Sequence, residues 1–371
     1  MKRNIKKALL AFISLGIFAA HFSSCSGVIF DEIRKEVKLK DAEVGGFIQN
    51  IVRYTLNGEE CIFVANGDLY YRSVEDDVVS QKIDFVKFPK PNGYVYSLAA
   101  DSSNLYAFSA TYSKDDDGYN TPSRREIWCF NGSSWNCVWY APYNEYIRVS
   151  ILCTNDVAPS NREAYFCYET AVYELSDSPI TIGTTTPTGY LTSDSDIKGS
   201  ALSEATPENL TKVLRPYSCA KIDGTTLFST NAAMVVGTDG TVYSANRDYV
   251  WYKKSSDSDW TLKDLNCGYI MSLAITNDYL IAGTNDGIVH TPLINGVPSG
   301  ELVSFQSNAE SCLSSYYQVP TILVVNPDET ELSATIFASS ITESTRVSRK
   351  NVGLWSYFPN SLGWIGEWNR E

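Results

Sequence analysis

From residue 45 onward the apolar positions come in short runs and not in the three- and four-residue spacing of a helix. Tyr94–Ala100 (YVYSLAA), residues 147–153 (IRVSILC) and residues 269–275 (YIMSLAI) are such runs, each seven residues long. Their β-branched and aromatic content is the profile of a buried strand. Residues 61–73 (CIFVANGDLYYRS), 234–245 (MVVGTDGTVYSA) and 280–291 (LIAGTNDGIVHT) each read as two β-runs around a tight turn. Glycine beside Asn or Asp supplies the positive φ such turns need. Residues 164–175 (AYFCYETAVYEL) read as a further copy with a glycine-free turn, and 105–110 and 335–339 begin two more.

An aromatic-flanked loop and a final strand follow several copies: residues 128–135 (WCFNGSSW), 251–260 (WYKKSSDSDW) and 355–364 (WSYFPNSLGW). Four strands per unit of roughly 45 to 60 residues is the signature of a propeller blade. The expected fold is all-β, a β-propeller of about six four-stranded blades. A seventh blade is the other reading of the Ser-, Thr- and Pro-rich stretch 176–216, which otherwise reads as an insertion with a short helix over 206–214. The six tryptophans of the three loops recur with the repeat and are expected to pack between blades. Residues 36–41 (EVKLKD) resemble the outer strand 261–264 (TLKD), so a strand near the N-terminus is expected to close the ring by joining the last blade.

Residues 255–260 (SSDSDW) resemble a degenerate Asp-box turn of the sialidase-like propellers, with Asp259 where that turn usually has glycine. The repeats as a whole are WD40-like. The resemblance implies the architecture and not sialidase chemistry.

The start of the chain has a different pattern. Lys2, Arg3, Lys6 and Lys7 precede thirteen uncharged residues, 8–20, and then Ser23, Ser24 and Cys25. A basic start, a short apolar stretch and small residues describe a secretory signal, too short to span a bilayer. The cysteine after Ser23 and Ser24 resembles the lipobox of bacterial lipoproteins, with Phe22 departing from the usual Leu, Val or Ile. The looser form is similar to that of spirochaete lipoproteins. The resemblance implies cleavage before Cys25, lipid on its thiol, and residence in the cell envelope on the periplasmic side or outer surface. Residues 1–24 are then the signal peptide, 25–44 a tether with the ring-closing strand, and 45–371 the propeller, with insertions near 111–124 and 176–216.

Removing four basic residues and no acid makes the chain more acidic than its formal net charge of −13. Nucleic acid is thereby excluded as a partner, since it needs clustered Lys and Arg. Among nine cysteines, Cys129 with Cys137 and Cys153 with Cys167 each span a predicted hairpin. Two readings stay open, disulfides or small buried strand residues. Neither a C-x-x-C nor a histidine cluster suggests a metal, and no cofactor is expected.

The acidic loop Asp115, Asp116, Asp117 resembles a calcium loop, but Arg124 falls where a bidentate Glu belongs. With Tyr112, Tyr119, Arg124 and Arg125 these acids form a candidate rim for gripping a protein loop or a glycan. His290 follows Cys25 as the sole histidine and lies in a predicted strand, so a structural role is expected. With no catalytic constellation, the functional expectation is a lipid-anchored scaffold that binds an envelope or surface protein. The alternative is a carbohydrate-binding or glycan-hydrolysing propeller, marked by carboxylates and arginines converging on a central pocket.

Overall fold

A computed structural model of the chain describes residues 44–74, 85–155, 157–169, 171–183, 189–190, 216–222, 224–229, 231–254, 256–304, 316–330, 333–343, 352–357 and 368–371. Among them the protein is all-β, with one 3₁₀ turn at Pro159–Asn161. No helix among the described residues is long and apolar enough to cross a membrane.

The strands of the described residues form seven antiparallel sheets, most of them meanders in chain order. The first holds Ile51–Leu56, Glu59–Ala65, Leu69–Ser73 and Val86–Phe88. The second holds Tyr94–Ala100, Leu105–Lys114, Asn120–Phe130 and Trp135–Pro142. The third is Val149–Cys153, Ala164–Tyr168, Ala171–Glu174 and Gly189–Tyr190. The fourth has two strands, Ser218–Ile222 and Thr225–Ser229. The fifth is Ala233–Val236, Val242–Asn246, Tyr249–Lys253 and Thr261–Asp264. The sixth runs from Ile270–Ile275 through Tyr279–Thr284 to Gly287–Ile294, which pairs with both Val297–Pro298 and Val303–Ser304. The seventh is Ile322–Val324, Ile336–Ser340, Gly353–Tyr357 and Trp368–Arg370.

Local chemistry sets these hairpins. Asn57 and Gly58 both take positive φ, 53° and 87°, between paired Leu56 and Glu59; this is the primed turn an Asn-Gly pair favours, whose twist matches that of the strands. The copies at 61–73, 164–175 and 280–291 are second-to-third hairpins, as their repeat order requires. The hairpin at 234–245 is not: it joins the first and second strands of its sheet, one strand earlier than the repeat predicts. A turn signal marks a hairpin without saying which hairpin of the sheet it is.

Apolar side chains fill the spaces between neighbouring sheets. Phe63, Leu69, Leu98 and Leu105 share one cluster between the first and second sheets. Tyr106, Ile127, Trp139 and Phe166 fill the next, and Tyr243, Val250, Leu273 and Leu280 lie between the fifth and sixth. First strands touch first strands in chain order from Ile51–Leu56 through to Ile322–Val324. The seventh sheet packs on the first: Leu323, Phe337 and Leu354 share a cluster with Ile51, Ile62 and Val64. Of the repeat tryptophans, Trp355 is fully buried and Trp135 packs partly buried on the first wedge, while Trp364 lies outside the described residues.

Residues 36–41 also lie outside them. The adjoining residues nevertheless meet the last sheet. Val44 donates to Glu371 O (3.3 Å) and accepts from Leu354 N (3.1 Å), and Gly45 bridges to Gly353. Gly353 has φ 143°, and a Cβ there would come within 2.7 Å of Val44 O, so the approach requires glycine. Most of 176–216, including the expected helix over 206–214, lies outside the described residues; Gly189 and Tyr190 belong to the third sheet, paired with Val172 and Ala171.

Neither of the two hairpin-spanning cysteine pairs is in register to form a disulfide. Among the described residues Cys129, Cys137, Cys153, Cys219 and Cys267 are free thiols, Cys129 and Cys219 of them buried. Register separates the expected pairs: Cys153 faces Ala164 while Cys167 faces Ser150, and Cys129 faces Asn136 while Cys137 faces Trp128. Burial, with Asp101 adding to it, pushes the Cys129 thiol up to about 12, which leaves it protonated and inert at neutral pH.

Candidate interaction face

In a meander the first strand begins at the same end of the sheet as the turn joining its second and third strands. Cross-sheet hydrogen bonds align these ends. Gly67 exchanges bonds with Val95, Ile270 donates to Arg247 O, and Gly287 donates to Tyr317 O. In each case a second-to-third turn meets the start of the next sheet's first strand. The ends therefore share one side of the molecule, here termed the entry face.

Exposed tyrosines gather there. Tyr94 opens a first strand, and Tyr217 and Tyr269 immediately precede others. Tyr112, Tyr119 and Tyr249 flank second-to-third turns, and Tyr143 and Tyr146 link the second sheet to the third. Tyr316 is tied through its N–H to Asp286 in another such turn (3.1 Å). Tyr119 is 72% and Tyr146 83% exposed. Single exposed apolar groups are ordinary, but aromatic rings collected on one face make it the candidate interaction surface.

The second sheet is the densest part. Its middle hairpin, Leu105–Lys114 with Asn120–Phe130, overruns the first strand, whose pairing stops at Tyr94 with Ala110. The overrun projects the arm 111–123 outward. Asp115 organises its tip: its Oδ1 accepts from Asp117 N (3.1 Å) and Tyr119 N (2.8 Å). Asp116 and Asp117 point into solvent.

The seven expected rim residues divide. Tyr112 hydrogen-bonds the Tyr96 hydroxyl, the Tyr94 ring lies tilted against Tyr96 at 4.9 Å, and Arg125 lies over the Tyr143 ring at 4.4 Å. Burial, then the bond with Tyr112, raises the Tyr96 phenol well above its ordinary value. Arg125 also donates to the carbonyls of Asn144 (2.8 Å) and Ile147, fixing the link into the third sheet. Arg124 alternates to the other side of the sheet, 2.7 Å from Glu126 and 3.9 Å over the Tyr140 ring. Arg124 is thus a sheet residue and not part of the same rim, because adjacent strand residues face opposite ways. Tyr94, Tyr96, Tyr143 and Tyr146 join the site without having been expected. For Tyr94 and Tyr146 the signal was a tyrosine opening an apolar first-strand run, as in YVYSLAA and YIRVSILC; Tyr143 carried no such signal.

The opposite side holds a cavity of about 460 Å³ between the far ends of the first strands. Met234, Val236, Leu273, Ile275 and Leu323 make it largely apolar, and Arg53, Lys221 and Asp328 are the charged residues along it. Arg53, 2% exposed, donates to Val324 O and Val325 O and lies 3.7 Å from Glu60, which Arg162 also grips. Lys221, Thr226 and Tyr165 all bond Glu163. Burial disfavours the Glu163 carboxylate, but those three donors outweigh it and hold the group below its ordinary value. A depressed carboxylate adds stability that is present above the unfolded-state value near 4.5 and lost as pH falls through the folded-state value. Urea midpoints measured from neutral to acid pH should therefore fall more steeply for the native chain than for Glu163→Gln. Parallel curves would show that the carboxylate contributes nothing. His290 is buried in a strand, stacked on Tyr279 at 5.0 Å, in keeping with a structural role. No cluster of metal-ligating residues occurs among the described residues.

No family model and no curated protein matches the chain. Among solved structures, a chain of the mitotic checkpoint complex is similar at 11% identity and TM-score 0.38, over 90% of this chain and 83% of that one. The PQQ-bound aldose sugar dehydrogenase of Streptomyces coelicolor is similar at 8% identity and TM-score 0.40, over 86% and 96%. Likenesses at this level carry nothing about chemistry.

Proposed function

We propose that the protein is a lipid-tethered, closed β-propeller of seven blades, the fourth of them short, that binds another envelope or surface protein through its entry face. The gathering of exposed tyrosines on that one face carries the reading. Tyrosine offers a large amphipathic contact at low entropic cost, and interface cores are enriched in it. Wedge-by-wedge packing, with the seventh sheet on the first, supports a closed and rigid ring as the platform. The lipobox-like Ser23-Ser24-Cys25 supports the tether. The cavity favours a binding role over glycan hydrolysis, which uses two carboxylates: Asp328 is the one acid among its described lining residues.

Crosslinking in intact cells, followed by affinity purification and mass spectrometry, tests this. The native chain should recover a specific partner, and the double variant Tyr119→Ala/Tyr146→Ala should lose it with an unchanged melting temperature, since both rings are exposed. Undiminished recovery by the variant would remove the entry face from the proposal. In the same cells Cys25→Ser should lose a fatty-acid label and leave the membrane fraction; retained label would sink the tether.

A further inference from the structure

We propose that the entry face of the second and third sheets takes lysine or arginine side chains from its partner, seated over tyrosine rings beside unpaired carboxylates. This rests on reading that face as a docking surface. Two observations define the partner's chemistry. The tyrosines of this sheet already accept guanidinium groups, Arg124 over Tyr140 at 3.9 Å and Arg125 over Tyr143 at 4.4 Å. The neighbouring exposed rings of Tyr94, Tyr112, Tyr119 and Tyr146 carry no cation among the described residues.

Charge points the same way. Asp116, Asp117 and Glu145 are exposed and make no ion pair among the described residues. Of the four local cations, Arg124 is engaged by Glu126 and Tyr140 and Arg125 by two carbonyls and Tyr143, while Lys114 and Arg148 are exposed, two cations against three open carboxylates. A neutral partner would cover three carboxylates without supplying a counter-charge, and an acidic partner or anionic lipid would be repelled. A cationic segment satisfies both the rings and the acids. Cation–π contacts on exposed rings are individually small, so several must act together.

Strand addition to the projecting arm is the less suitable mode. Its free edge, residues 111–114, is four residues long and ends in a lysine, and the adjoining strand carries Pro122. Lysine and proline are the residues that guard open edges against pairing. Recognition therefore runs through side chains.

The test uses the full-length protein in detergent micelles and three short fluorescent peptides. One alternates arginine with serine, one replaces arginine by its neutral isostere citrulline, and one replaces it by glutamate. Fluorescence anisotropy should show binding of the arginine peptide alone, weakening as salt rises. Tyr112→Leu, Tyr119→Leu and Tyr146→Leu, which keep apolar area but remove the ring, should each weaken it roughly two- to fivefold. Asp116→Asn/Asp117→Asn/Glu145→Gln should weaken it further and flatten the salt dependence. Unchanged melting curves establish that the variants fold. Three results overturn the proposal: no binding of the arginine peptide, equal binding of the citrulline peptide, or binding that ignores the tyrosines while following only the acids. Each would leave partner capture in cells standing. Loss of that capture alongside the expected peptide series would instead reject the docking reading.

Discussion

Arg53→Met is expected to cost the protein about 3–5 kcal/mol, an effect on the scale of breaking a buried ion pair. The Arg53 side chain leaves the first sheet and binds Val324 O and Val325 O in the seventh, while its own backbone N–H donates to Asn155 Oδ1 in the third at 2.9 Å. One residue thus ties three sheets around the cavity. Methionine keeps the apolar stem but abandons both carbonyls, and a buried carbonyl without a donor costs about 1–3 kcal/mol. Glu60 stays paired with Arg162, so the loss comes mainly from the carbonyls and from the cavity wall. Urea denaturation followed by tryptophan fluorescence measures it. A shift below about 1 kcal/mol would mean that the seventh sheet does not depend on this clamp.

Trp368→Ala should be comparably costly, about 3–5 kcal/mol, the usual range for emptying a large aromatic site. Trp368 is fully buried in the final strand and lies 5.6 Å from the Tyr357 ring. Three residues further on, Glu371 O accepts from Val44 N and Glu371 N donates to Leu354 O. The site where Trp368 anchors the last strand is therefore also where the two ends of the domain meet. Beyond lower stability, the variant should show faster amide exchange at Val44, Leu354 and Glu371 than elsewhere, since local opening frees those donors first. Exchange raised evenly throughout the chain would mean that this meeting of Val44, Leu354 and Glu371 does not open as a local unit.

Much of this fold is legible in the one-dimensional pattern. The second-to-third hairpins at 61–73, 164–175 and 280–291 fall where the runs and turns place them, because a tight turn and period-two burial are local properties. The hairpin at 234–245 falls in a different place in its sheet. Its turn obeys the same local rule, and only packing against the fourth and sixth sheets decides which strand lies innermost. The site was half legible. Tyr112, Asp115, Asp116, Asp117 and Tyr119 stood together in the chain and share one projecting arm, with Arg125 at its base over Tyr143. Arg124 did not join them, since strand alternation turns it to the other face. Tyr143 and Tyr146 are far enough along the chain that their approach depends on the fourth strand returning to the entry face.

The chain's own pattern determined an all-β protein of repeated meander sheets, its short turns, its acidic surface and the tyrosines that open the first strands. Those follow from interactions between near neighbours, where spacing alone sets geometry. Tertiary structure decided the rest: the order in which the described sheets neighbour one another, the register that separates the cysteine pairs, the Arg53 clamp and the convergence of tyrosines on one face. Each joins residues far apart in the chain, such as Arg53 with Val324 or Val44 with Glu371. Register and inter-sheet packing bring such pairs together, and neither is written in any single stretch of sequence.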